Sequence, residues 1–133
     1  MHEFEHISIY IQRRPDEVYQ FASNPENLPL WAAGLATSRM QKNGDKWLAE
    51  FPFGKVSIRF AQINNFGVMD HDVELDSGTI VHNPMRVISK GDGSFFMFTL
   101  FRQPVMTDEQ FVADKLAVQK DLATLKLLLE RDY

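Results

Sequence analysis

From Thr107 to Tyr133 the chain contains neither glycine nor proline, and no other feature restricts the possible folds as strongly. The segment opens on Thr107-Asp108-Glu109-Gln110, a capping-box pattern in which a threonine and a glutamine three residues on satisfy each other's backbone amides. Phe111, Lys115, Val118, Leu122, Leu125 and Leu129 then recur at threes and fours and form one stripe, flanked by Leu116, Ala123, Leu127 and Leu128. Asp108 and Glu109 at its start and Lys126 and Arg131 near its end complement the helix dipole. The spacing predicts one helix from about Thr107 to the C-terminus. A helix with one apolar stripe needs an apolar surface to lie on, which the rest of the chain must supply.

The upstream segments read as that surface. Phe4 to Gln12 alternates, with Ile7, Ile9 and Ile11 on one face and His6, Ser8, Tyr10 and Gln12 on the other, the period of a half-buried strand. Arg14-Pro15-Asp16-Glu17 places a proline and two acids where a helix's first turn accepts them, and Val18, Tyr19, Phe21 and Ala22 supply its apolar side. Ser23-Asn24-Pro25-Glu26 repeats the start signal and leads to a second short helix reaching Leu28, Leu30 and Trp31. From about residue 36 to residue 102 strand-like segments alternate with turn residues: Asn43-Gly44-Asp45, Pro52-Phe53-Gly54, Asn64-Asn65-Phe66-Gly67, Asp76-Ser77-Gly78 and Gly91-Asp92-Gly93. Successive hairpins imply an antiparallel meander, rich in Trp47, Phe51, Phe53, Val56, Ile58, Phe60, Val73, Val87, Phe96 and Phe98. The expected architecture is α+β: a curved antiparallel sheet of six or seven strands wrapped around the long terminal helix, with two short helices after the first strand and an apolar cavity between sheet and helix.

Composition narrows the partners. At 133 residues, 44% hydrophobic and 24% charged, the chain is expected to form a single domain, residues 1–133, with a packed core. A formal charge of −4, with Arg13-Arg14 as the densest basic cluster, argues against nucleic acid. The absence of cysteine excludes disulfides and thiolate chemistry. The acidic opening Met1-His2-Glu3-Phe4-Glu5-His6 is unlike a signal peptide, and no apolar run nears the roughly 18 residues needed to span a bilayer, so a cytoplasmic location is expected.

Particular stretches resemble the superfamily of START-like, polyketide-cyclase and birch-pollen-allergen-like domains, abbreviated SRPBCC. The strand Ile7-Ser8-Ile9-Tyr10-Ile11 is followed by Pro15-Asp16-Glu17-Val18-Tyr19-Gln20-Phe21 and then Asn24-Pro25-Glu26-Asn27-Leu28-Pro29-Leu30-Trp31, an order similar to that family's N-terminal signature. Asp70-His71, Pro84-Met85-Arg86-Val87 and Asp121-Leu122 with Leu125-Lys126 resemble a largely uncharacterised bacterial subgroup. The resemblance implies a helix-grip fold with a hydrophobic cavity. Among its members are binders of lipids, sterols and polyketides, cyclases or dehydratases, and co-chaperones, so the fold alone selects no single activity.

The candidate site residues follow from strand alternation and from that expected cavity. In the strand predicted over Val68 to Leu75, Met69, His71, Val73 and Leu75 share one face, with Asp70, Asp72 and Glu74 on the other. His71 is either a cavity histidine acting as acid, base or ligand-orienting group, or a hydrogen-bonded core histidine, the commoner role. Trp31, Phe51, Phe60, Met69, His71, Phe96 and Phe98 are the candidate ligand contacts. Arg59 and Arg86 would meet an anionic ligand only if a bulge turned them inward; surface pairing is the commoner fate. Lys115 is expected to lay its stem on apolar surface with its ammonium in water.

His2, His6, His71 and His82 lack metal-ligand spacing, so no metal and no cofactor are expected. The first functional expectation is binding of a small apolar molecule. The alternatives are a cyclase or dehydratase with His71 as acid or base, and a co-chaperone-like interaction module. The second apolar face of Phe95 to Phe101 is a candidate contact with another subunit, making a homodimer a further expected partner.

Overall fold

The computed structural model describes residues 3–52 and 54–131. Phe53, expected among the strand residues, lies outside the described residues, as do His2 and the last two positions of the expected terminal helix. Strand β1 (Phe4–Ile11) leads to α1 (Pro15–Ala22), a short 3-10 turn, α2 (Leu28–Trp31) and a second 3-10 turn. The chain then runs through β2 (Gln41–Asn43), β3 (Lys46–Phe51), β4 (Gly54–Phe60), β5 (His71–Leu75), β6 (Ile80–Asn83), β7 (Met85–Lys90) and β8 (Gly93–Phe101). Helix α3 spans Asp108–Arg131.

All pairings are antiparallel. One ladder runs β2-β3-β4-β5-β6 and the other β1-β8-β7. The two meet where β6 and β7 are separated only by Pro84, which has no amide hydrogen and so interrupts the ladder without ending the strand. Across the bend the Pro84 carbonyl still accepts from the Thr99 amide at 2.9 Å, and the Met85 carbonyl accepts from the Met69 amide at 2.7 Å. Asp70 reinforces the corner: its Oδ1 accepts from the Met85 amide at 2.9 Å and its Oδ2 pairs with the Arg86 guanidinium at 3.0 Å. With β6 and β7 counted as one bent strand, the expected upper number of strands is met.

Helix α3 begins as its capping box requires. The Gln110 amide donates to Thr107 Oγ1 at 3.1 Å, and the Thr107 amide donates to Gln110 Oε1 at 2.9 Å. Phe111, Leu122, Leu125 and Leu129 are buried, but Leu116 and Leu127, expected to flank the stripe, are 59% and 68% exposed. The helix is tied along β1 and to the segment after α2. Lys126 Nζ donates to the Tyr10 carbonyl at 2.7 Å, Glu130 accepts from the Gln12 amide at 2.7 Å, and Arg13 donates to the Leu129 carbonyl at 3.0 Å. On the other flank Asp121 accepts from the Ala33 amide at 3.1 Å. These anchors hold the helix over the β1 side of the curved sheet, with the concave faces of β4 to β6 turned toward the space beside it.

Candidate functional site on the concave face

Alternation decides which strand residues face inward. On β4, Val56, Ile58 and Phe60 pair with Leu75, Val73 and His71 of β5, and His71 in turn pairs with Asn83 of β6. Val56, Ile58 and Val73 are buried, so His71, in step with Val73, lies on the concave side with them. Its ring stacks on Phe60, with centroids 4.7 Å apart and planes at 20°, and stands edge-on to Phe98 at 6.3 Å. Phe60, His71, Asn83 and Phe98 are half-buried, as are Leu75 and Val81 on the same face, whereas Val56, Ile58 and Val73 beside them are buried.

Both ring nitrogens of His71 are engaged. Nδ1 lies 3.1 Å from the Met69 carbonyl and Nε2 lies 3.4 Å from Asn83 Nδ2. Burial away from solvent pulls the imidazole pKa below its usual value, against opposing contributions from the Met69 carbonyl and Asp70. Only part of the ring's surface is covered, yet protein atoms surround its nitrogens densely enough for desolvation to dominate. The side chain is therefore neutral at neutral pH. A histidine held between a carbonyl and an amide is well oriented, but it must give up one of those bonds before it can take a proton from a substrate.

The other candidates divide. Trp31, Met69 and Phe96 are 5%, 1% and 0% exposed and form part of the packed core; Trp31 meets Phe96 edge-on at 5.9 Å. Through Phe96 and Phe98, alternate residues on one face of β8, this core adjoins the Phe60–His71 stack. The Trp31 indole nitrogen is buried without a hydrogen-bond partner among the described residues. Phe51 packs half-buried against the edge of the core and lines a cleft of about 670 Å³ with Ser38, Arg39 and Lys55. Another cleft, of about 700 Å³, opens between α1 and the exposed Ile63 and Phe66.

Arg59 and Arg86 alternate with inward residues, point away from the concave face and pair with Asp45 and Asp70 at 3.4 Å and 3.0 Å. Lys115 turns to Glu5 at 3.7 Å. No three His, Asp or Glu side chains converge among the described residues.

Two polar groups, Asn83 on this face and Asp121 on α3, were not among the candidate site residues of the sequence. Asn83 stands directly before a proline, and Asn-Pro reads as a turn rather than as the inward end of a strand. Asp121 sits on α3 beside Ala33; burial raises its pKa, only partly countered by the Ala33 amide and Lys120. In the sequence it stood out as a polar residue beside the apolar stripe and as part of the resembling Asp121-Leu122 stretch.

A long terminal helix gripped by a curved antiparallel sheet, with two short helices after the first strand, is a helix-grip fold. Solved structures share it. XoxI from Bacillus cereus superposes with a TM-score of 0.75 at 15% identity over 99% of this chain and 99% of its own. The Aha1 dimer from Colwellia psychrerythraea gives 0.76 at 16% identity over 96% of each chain. DynU16, from the dynemicin biosynthetic locus, gives 0.74 at 12% identity over 98% of this chain but 48% of its own. Neither a family model nor a curated protein matches at the sequence level. Among the described residues no helix is long and apolar enough to cross a membrane.

Proposed function

We propose that the protein binds a small apolar molecule against the concave face, between the sheet and α3. The observation that carries this reading is the half-open aromatic array of Phe60, His71 and Phe98 on the inner face, beside the half-buried Leu75 and Val81. Aromatic surface left accessible on the inner side of a curved sheet is what an apolar ligand covers, and its burial stabilises a complex by roughly 25 cal/mol per Å² of apolar area. The neutral, doubly bonded His71 favours binding over acid–base turnover, because neither ring nitrogen is free for a substrate proton. The shared fold selects no ligand. XoxI, Aha1 and DynU16 carry the same architecture under different names.

The test is a titration with a fluorescent apolar dye such as anilinonaphthalene sulfonate, repeated on Phe60→Ala and Phe98→Ala. Saturable binding to the folded protein, a raised thermal midpoint and weakening by either substitution are the expected results. A dye signal that fails to saturate, with no thermal shift from any apolar compound, would overturn the proposal.

A further inference from the structure

The hydrogen bonds around His71 determine more than its own position. A backbone carbonyl can only accept, so the nitrogen facing Met69 O, Nδ1, carries the proton. In a neutral imidazole this leaves Nε2 as a lone pair, and a lone pair calls for a donor. Asn83 must then present its Nδ2 to the ring, as it does at 3.4 Å. The carboxamide has two ends, and assigning one assigns the other: Oδ1 is turned away from His71. Oδ1 has no partner among the described residues, and the side chain is half-buried on the concave face. A chain of three groups thus holds an acceptor beside the Phe60–His71 stack.

Charge restricts what this acceptor meets. Lys55, Arg59 and Arg86 alternate with inward-facing residues and so project from the convex face. On α3, Lys115 and Lys126 turn to Glu5 and to the Tyr10 carbonyl. Where α3 meets the segment after α2, the ionisable group at the Ala33 amide is a carboxyl, Asp121. An anionic ligand would find a carboxamide oxygen in place of a counter-charge, and a pure hydrocarbon would leave Oδ1 desolvated and unpaired.

We propose that the ligand is a neutral aromatic or otherwise flat apolar molecule bearing a hydroxyl group that donates to Asn83 Oδ1. His71 is the positioning residue that sets the amide orientation. This rests on the reading of the concave face as the ligand site and names the chemistry that the site selects.

The experiment compares β-naphthol, its methyl ether and naphthalene by calorimetric titration against the wild type, Asn83→Leu and His71→Phe. The wild type should bind the naphthol about fivefold more tightly than the ether, as a neutral hydrogen bond allows. Asn83→Leu should abolish that preference and leave affinity for the ether within about twofold. His71→Phe keeps a ring on Phe60 but no longer fixes the amide, so it should diminish the naphthol-over-ether ratio; a merely structural role would weaken both ligands alike and keep that ratio.

Equal binding of naphthol and ether to the wild type, or a preference that survives Asn83→Leu, would overturn this inference while leaving the proposed function standing. Failure of all three probes to bind would remove both. Nitrogen NMR of the labelled imidazole gives a check that needs no variant: the proton is expected on Nδ1, and finding it on Nε2 would reverse the amide and sink the assignment.

Discussion

His71 lies nearly flat on Phe60, with ring centroids 4.7 Å apart and planes inclined by 20°, and the two residues occupy directly paired positions on β5 and β4. The stack forms because adjacent antiparallel strands bring paired side chains to the same face. It also buries a titratable ring, which makes stability depend on pH.

The His71 pKa in the folded protein lies below its unfolded value of about 6.5. As pH falls below about 6.5 the unfolded chain takes up a proton that the folded one resists, so stability declines until the folded pKa is passed. Its favourable contribution is therefore complete above about pH 6.5 and is lost on acidification. In His71→Phe, which cannot titrate, the thermal midpoint should fall less steeply than in the wild type over this window. Parallel melting curves across the pH series would show instead that the ring titrates as freely in the folded state as in the unfolded one.

Leu122 is 1% exposed and Leu127 is 68% exposed on the same helix. Leu122→Ala should destabilise by about 2–5 kcal/mol, the range for a buried leucine. Leu127→Ala should change stability by no more than about 0.5 kcal/mol. Urea unfolding of the two variants checks both values, and a similar loss in each would mean that Leu127 is covered in solution.

Thr107 caps α3 reciprocally with Gln110. Thr107→Ala should cost about 1 kcal/mol by leaving the Gln110 amide without its acceptor. Amide hydrogen exchange should quicken in the first turn of α3 while the turns around Leu125 keep their protection.

Gly67 has a φ of 70°, and an added Cβ would run into the Val87 carbonyl. Gly78, with a φ of 88°, has open space around it. Gly67→Ala should destabilise by more than the roughly 1–3 kcal/mol of backbone strain alone, and Gly78→Ala by about that strain and no more. Equal effects in chemical denaturation would show that the loop before β5 relaxes away from Val87.

The terminal helix, its capping box and the β1 alternation were legible in the sequence because each is a local pattern whose period matches one backbone geometry. The same holds for the inward face of β5: once His71 is in step with Val73, strand geometry places it on the concave side. Tertiary packing decided the remainder. Leu116 and Leu127 look as apolar as Leu122, but the helix is anchored along β1 through Lys126 and Glu130 and to Ala33 through Asp121, and that seat leaves their flank in solvent. Asn83 reads as a turn beside Pro84, and only the bend that carries β6 into β7 sets it opposite His71, twelve residues away in sequence. Trp31, Met69 and Phe96 share the aromatic and apolar character of Phe60 and Phe98. Whether such a side chain fills the core or remains open to a ligand depends on what the distant α2 and α3 cover, a matter of long-range packing that no local sequence period encodes.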